Sequence, residues 1–407
     1  MKKAVALVPA GLAAAAFLAC GDNPVERKGD PRLTLSVDSV AVDVGAFALV
    51  IATVSNASGP AQFVSRDERV ATVNADGAIS GVAVGATYVV ATLSGNADVR
   101  DSVRVRVQAK VPDTCAVARP DFGAPATAED RALFAYDAGA PLDLQKTVES
   151  TAAGVEVSSI YYSSPDGGLV PGILVEPVGR PGLRPGMVIM HPSGVPAKGL
   201  TAYAQTLAQH GAVVIAIDAP YFRRGGPSPL FTAADRDEQI QLIKDLQRAV
   251  DVLLARGNVD PARIGFEGYS YGGIVGAQFV GIERRLKAAV LAAAHGGQVT
   301  GATTPANSTY LASQLSCATR NAWFRAMTPI EPIRFIPHAS PTALFFQIGR
   351  YDTAVLPGDA QALYDAASSP KEVIYYDTGH GLNPQALVDR HNWLHQQIGI
   401  DPRSPAQ

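Results

Sequence analysis

The stretch Arg263-Ile264-Gly265-Phe266-Glu267-Gly268-Tyr269-Ser270-Tyr271-Gly272-Gly273-Ile274-Val275-Gly276-Ala277 decides how this chain is read. A strand-like run over 264–267 enters a turn at Gly-Tyr-Ser-Tyr-Gly, and a small-residue helical run leaves it. A serine held at a sharp turn between strand and helix is the context a nucleophile elbow requires. Such a turn strains the serine backbone, and the flanking glycines let strand and helix pass closely. The plainer alternative is a glycine-rich strand-to-helix turn without chemistry, so the partners of Ser270 must decide.

A serine nucleophile needs a base, an acid to orient that base, and donors for the oxyanion. Among seven histidines, His380 lies in Asp377-Thr378-Gly379-His380-Gly381-Leu382, after the last strand-like run and before the last helical one. The chain order serine, acid, histidine places the base there. The acid is expected after the preceding strand, where Gln347-Ile348-Gly349-Arg350-Tyr351-Asp352 supplies Asp352. Asp377 is the alternative acid, although its place on the approach to His380 reads as loop-stabilising. One oxyanion donor is expected to be the backbone N–H of Tyr271, directly after the serine. The second is expected from His191-Pro192-Ser193-Gly194. Pro192 has no N–H, which makes Ser193 the first choice and Gly194 the second.

Working outward, strand-like runs at 187–190, 213–217, 263–267, 288–292, 343–347 and 372–376 alternate with helical stretches near 199–210, 233–256 and from 271. Strands without strict alternation, separated by helices, predict a mainly parallel sheet covered on both faces. Runs near 155–162 and 170–175 alternate more and predict an antiparallel edge. Residues 296–335 separate two core strands, carry Cys317, Trp323 and Phe324, and are expected to form a small cap. His191, Tyr221 and Trp323 are the candidates for the substrate rim. His191 and His295 both stand at strand ends, where each is either a cavity residue or a packed structural histidine. Arg223 and Arg224 read as a solvated charge pair rather than an anion site. Glu267, an acid on a central strand, is expected to pair with a buried Arg or His. His391 and His395, four apart on a helix with no acidic third ligand, read as an exposed helix face and not as a metal pair.

These residues carry a resemblance. Residues 134–400 resemble the serine α/β-hydrolases related to dienelactone hydrolase, on Phe134-Ala135-Tyr136-Asp137, Ile217-Asp218-Ala219-Pro220, Val259-Asp260-Pro261-Ala262-Arg263, Pro332-Ile333-Arg334-Phe335 and Pro370-Lys371-Glu372-Val373 as well as the Ser270 motif. Dienelactone hydrolase itself uses a cysteine, and Ser270 departs from that. The resemblance therefore implies hydrolysis of a small-molecule carboxylic ester rather than a lactone. It implies a Ser270-Asp352-His380 triad, an acyl-enzyme, and no metal or organic cofactor. Gly268-Tyr269-Ser270-Tyr271-Gly272-Gly273 is also similar to the elbow of the oligopeptidases, which implies a serine peptidase, but those enzymes usually carry a large β-propeller. A non-catalytic surface-binding protein on the same scaffold is the third reading; an intact Ser, Asp and His set speaks against it.

Upstream, residues 32–108 hold short alternating runs separated by Gly, Asn, Asp or Ser, which predict a small β-sandwich. In Val103-Arg104-Val105-Arg106-Val107 one face is valine and the other arginine, as in a strand with one wet face. The spacing over residues 69–87 resembles the group 2 bacterial immunoglobulin-like domain, with Asp76-Gly77 at a hairpin turn. That resemblance implies a spacer, or contact with a glycan or cell surface. Residues 109–128 read as a Pro/Ala-rich linker, followed by the α/β-hydrolase domain at 129–400. Residues 1–19 read as a secretory leader, with Lys2 and Lys3 before an apolar run. Ala19-Cys20-Gly21 resembles a bacterial lipobox, with Phe17 where Leu is usual. It implies that Cys20 is lipidated, that residues 20–31 are a tether, and that the protein is anchored to a membrane outside the cytoplasm. Gly21, where Asp would retain the protein, favours the outer membrane. An oxidising compartment there permits a Cys115–Cys317 disulfide.

The composition of the 407 residues is consistent with this reading. With 34 basic and 37 acidic residues the net charge is −3, which gives no electrostatic footprint for nucleic acid. At 47% apolar and 17% charged the chain is not a disordered one, and three cysteines exclude a disulfide-dense scaffold.

Overall fold

The computed structural model describes residues 30–57, 59–109, 117–226 and 228–402. The leader, Cys20 and Cys115 lie outside the described residues. No helix among the described residues is long and apolar enough to cross a membrane.

The N-terminal region is all β. Its strands are β1 (Arg32–Leu35), β2 (Ser39–Asp43), β3 (Phe47–Leu49), β4 (Ala52–Ser55), β5 (Ala61–Ser65), β6 (Ala71–Val73), β7 (Ala78–Gly81), β8 (Gly85–Leu93) and β9 (Asn96–Gln108). They form sheets β2-β9-β8-β5, β3-β7-β6 and β1-β4. Val103, Val105 and Val107 point inward and pack with Val50, Ile79 and Val89, while Arg104 and Arg106 face water. The β6–β7 turn is closed by Asn74, whose side-chain oxygen accepts from the Asp76 and Ala78 amides at 3.0 and 2.9 Å. Gly77 sits there at φ +81°, and a Cβ would lie 2.1 Å from the Val50 carbonyl, so only glycine fits.

The remaining strands are β10 (Gln145–Ala152), β11 (Val155–Ser163), β12 (Leu169–Pro177), β13 (Arg184–Met190), β14 (Val213–Ile217), β15 (Val259–Tyr269), β16 (Leu286–Ala292), β17 (Ala343–Gly349) and β18 (Lys371–Tyr376). They form one sheet in the order β10-β11-β12-β14-β13-β15-β16-β17-β18. The pairings from β10 to β14 are antiparallel and all others parallel. The expected antiparallel edge is therefore present, with β10 added outside it.

Helices cover both faces. Counting in chain order, α1 (Ala128–Ala132) precedes the sheet; α2 (Thr201–Gln209), α3 (Pro220–Arg223), α4 (Ala234–Ala255) and α5 (Tyr271–Val280) lie between its strands. Between β16 and β17 come α6 (Gln298–Ala302), α7 (Pro305–Gln314), α8 (Cys317–Met327) and α9 (Pro332–Phe335). α10 (Pro357–Ala366) follows β17 and α11 (Pro384–Ile398) follows β18. Val188, Phe266 and Leu291 pack on one face with Leu246 of α4 and Val275 of α5. Met187, Ile189 and Val290 pack on the other with Leu207 of α2 and Leu394 of α11. Adjacent residues of one strand thus feed opposite cores, which is why these strands show no polar alternation.

Three sequence expectations are corrected. The described part of the linker, residues 117–128, is fixed to the region of the nine-stranded sheet: Arg119 pairs with Asp359 at 2.6 Å and bonds Thr303 and the Thr300 carbonyl. His391 is buried, with its ring against His210 and Nε2 donating to the Asp401 carbonyl at 2.8 Å, because the chain end folds back over α11; His395 is exposed as expected. Arg223 and Arg224 are not solvated but paired, with Asp245 and Glu238 of α4.

Candidate active site

Every predicted catalytic side chain stands at the carboxyl end of a parallel strand, where α/β sheets open their crevice. Ser270 follows β15 and caps α5 at φ 54°, ψ −119°, a conformation L residues rarely adopt. Close packing imposes it. A Cβ on Gly268 would lie 2.1 Å from the Gly272 carbonyl, and one on Gly272 would lie 2.2 Å from the Met190 carbonyl. Strand β15 and helix α5 are pressed together until only glycine fits, and the serine at the apex projects outward.

The structure brings Ser270, His380 and Asp352 together. His380 Nε2 faces the Ser270 hydroxyl at 2.9 Å, and Nδ1 faces Asp352 Oδ2 at 2.8 Å. The second Asp352 oxygen accepts from the amides of Ala354 and Val355, each at 2.8 Å. With both oxygens engaged and the side chain 1% exposed, Asp352 has one orientation available. The Tyr269 hydroxyl donates to the His380 carbonyl at 2.5 Å and ties the histidine loop to the elbow strand. Asp377 is exposed and pairs instead with Arg350 at 3.0 Å.

Ser270 and His380 open onto a cavity of about 600 Å³. Ser193, Gly194 and Tyr271 line it, so both oxyanion candidates reach the cavity beside the serine. Tyr221 and Trp323 line it too. Trp323 donates its indole N–H to Asp235 at 2.8 Å, and Asp235 also accepts from the amides of Leu230 and Thr232. One buried carboxylate on α4 thereby holds both the cap and the loop opposite it.

His191 does not join the rim. It is fully buried, donates from Nδ1 to the Pro192 carbonyl at 2.8 Å, and accepts at Nε2 from the Ala219 amide at 3.2 Å. Burial pushes its pKa down, so it stays neutral and pins the Ser193 loop to the end of β14. The other strand-end histidine, His295, lines the cavity. Phe222, in the stretch 219–226 that the sequence also offers as a rim, lines it as well. Phe231, Ile274 and Tyr310 line it too and were missed. A strand-end position was the signal for His295; these three lie on loops and helices whose path the sequence does not give.

Glu267 pairs with Arg390 of α11 at 2.6 Å and accepts from the Tyr203 hydroxyl at 2.7 Å, as expected of an acid on a central strand. Among the described residues no three His, Cys, Asp or Glu side chains converge as metal ligands. Cys317 is disulfide-bonded; Cys115, its expected partner, lies outside the described residues.

Residues 199–399 match the prolyl oligopeptidase family. The fold is that of acetyl xylan esterase from Paenibacillus sp. R4, with a TM-score of 0.55 and 21% identity over 66% of this chain and 92% of that one. This chain is a serine hydrolase. The hydrolase also shares its fold with acetyl xylan esterase 1 from Thermoanaerobacterium sp. JW/SL YS485, at TM-score 0.54 and 15% identity over 68% of the hydrolase and 95% of the esterase. A prolyl endopeptidase structure aligns at TM-score 0.51 and 18% identity, over 63% of the hydrolase but 40% of the endopeptidase. No curated protein matches the sequence of the hydrolase.

Proposed function

We propose that this serine hydrolase is a carboxylic ester hydrolase, with Ser270 as nucleophile, His380 as general base and acid, and Asp352 as the group that orients His380. The observation that carries the reading is the continuous line Asp352–His380–Ser270, at 2.8 and 2.9 Å, ending in an apolar cavity. Ser270 Oγ attacks the ester carbonyl as its proton passes to His380 Nε2. The amides of Tyr271 and Ser193 hold the oxyanion. Collapse expels the alcohol, which takes the proton from His380. Water, deprotonated by His380, then attacks the acyl-enzyme, and His380 returns that proton to Ser270 Oγ as the bond to the acyl carbon breaks and the acid is released. The leader and Cys20 pattern support action outside the cytoplasm on a lipid anchor, and the all-β region supports an immunoglobulin-like spacer between anchor and enzyme.

A serine peptidase is the second reading, favoured by the family match over residues 199–399. Aryl esters and peptide amides assayed side by side separate the two. Turnover of esters, fluorophosphonate labelling of Ser270, and loss of both in Ser270→Ala by roughly a thousandfold or more are expected. Cleavage of amides in preference to esters would transfer the assignment to the peptidase. Inertness toward both, with Ser270 unlabelled, would end the catalytic reading.

A further inference from the structure

Several polar groups that line the Ser270 cavity have no hydrogen-bond partner among the described residues, the buried Tyr221 hydroxyl among them, and one is a ring donor outside the triad. His295 stands three residues past β16 and is 6% exposed, yet it lines the same cavity as Ser270 and His380. Its Nδ1 accepts from the Gly297 amide at 3.3 Å, which places the ring proton on Nε2. No acceptor among the described residues bonds that Nε2–H. The edge that carries it faces Gly301, another residue of the cavity wall; a Cβ there would come within 2.8 Å of Nε2. That close approach is possible only because residue 301 has no side chain. Burial pushes the His295 pKa down to about 4, so the ring is neutral at ordinary pH and its one N–H is always in place.

The rest of the wall says what that donor meets. None of the described lining residues is Asp, Glu, Lys or Arg. Tyr221, Phe222, Phe231 and Trp323 supply aromatic surface, with Phe231 edge-on to Trp323 at 5.2 Å and Tyr221 tilted against Phe222 at 4.5 Å. Such walls suit a flat ring. An uncharged cavity penalises an ionised group, which would lose its hydration without a partner. An acetyl group alone fills little of about 600 Å³. A wholly apolar ring fills more, but it strips water from Nε2–H and leaves that donor unmade, which costs affinity.

We propose that His295 is a specificity-determining residue whose Nε2–H donates to a neutral oxygen on the substrate, and that the preferred substrates are uncharged esters carrying an oxygen-substituted aromatic ring. The proposal rests on the ester-hydrolase reading and adds the substrate class. The ring sits on the acyl or the alcohol side of the ester, and matched substrates distinguish the two.

The test uses the full chain with pairs of esters in which a methoxy group is replaced by ethyl, equal in size but without an acceptor. Methyl methoxycinnamates against methyl ethylcinnamates probe the acyl side, and methoxyphenyl against ethylphenyl acetates the alcohol side, each at meta and para positions. Rates are normalised to hydroxide hydrolysis. The expected result is a methoxy-over-ethyl preference of about tenfold in kcat/KM in at least one pair, carried by KM. His295→Phe should bring that ratio to about one. His295→Gln, which keeps a donor, should retain part of it. Gly301→Ala, which leaves the ring but presses on its edge, should lower it. Ratios of one in every wild-type pair, or a preference untouched in both His295→Phe and Gly301→Ala, overturn the proposal while p-nitrophenyl acetate turnover leaves the ester-hydrolase reading standing. Absence of all ester turnover, with Ser270 unlabelled by fluorophosphonate, overturns both.

Discussion

Ser270 holds a positive φ of 54° because the packing of Gly268 and Gly272 leaves the turn no alternative. A non-glycine residue there stores roughly 1–3 kcal/mol of backbone strain. Two variants without the hydroxyl separate that strain from the chemistry. Ser270→Ala keeps the Cβ and the strain; Ser270→Gly removes both. Glycine gives back about 0.5–1 kcal/mol through the greater freedom of the unfolded chain. The melting temperature of Ser270→Gly is therefore expected to exceed that of Ser270→Ala by a few degrees in calorimetry, with both inactive. Equal values would mean that the turn is relaxed. The reverse substitution is severe: Gly272→Ala drives a methyl into the Met190 carbonyl, with an expected loss of about 2 kcal/mol or more. It is read as a drop of roughly 5 °C with weakened fluorophosphonate labelling.

At the scale of elements, the five-residue helix α6 beside the cavity has its first amides capped from a distance. Glu331 is fully buried and accepts from the amides of Val299 and Thr300 at 2.8 and 3.4 Å. Burial pushes its pKa up to about 8 from an ordinary 4.5. Between those values the folded protein keeps a proton that the unfolded chain gives up, so this group makes stability fall as pH rises through the window. His295 works the other way. Burial lowers it to about 4 from 6.5, so the stability it contributes is complete above 6.5 and is lost as pH falls toward 4. The melting temperature of Glu331→Gln is expected to decline less than that of the wild type between about pH 6.5 and 8. An identical decline would remove Glu331 as its source. Which elements the sequence revealed has the same physical basis. The central strands were legible because continuous apolar runs are long and bounded by glycine or charge. β10 was not, because nearly all of Gln145–Ala152 faces solvent and shows neither an apolar run nor alternation. Ser270, Asp352 and His380 were legible from chain order after successive strands. The partners of Arg223, Arg224 and His391 were not, since they come from α4 and from the folded-back chain end. Nor could sequence decide which strand-end histidine is structural. His191 is claimed by two backbone groups, Pro192 O and Ala219 N–H, and His295 by one.

For the whole molecule, the Cys20 pattern predicts where the enzyme is found. In a cell-fractionation experiment Cys20→Ser is expected to move the protein from the membrane fraction to the soluble one, with turnover per molecule unchanged; retention on the membrane would refute the lipid anchor. The uncharged wall around Ser270 bears on the ionic surroundings in which the enzyme works. Ions screen attraction and repulsion between charges, so salt alters how fast a charged substrate finds a charged site. A neutral ester approaching a cavity lined by no acidic or strongly basic side chain gives dissolved ions nothing to act on. From about 0.01 to 1 M sodium chloride, kcat/KM on such an ester should change by less than about twofold. The same catalyst would serve unaltered in rainwater and in brine.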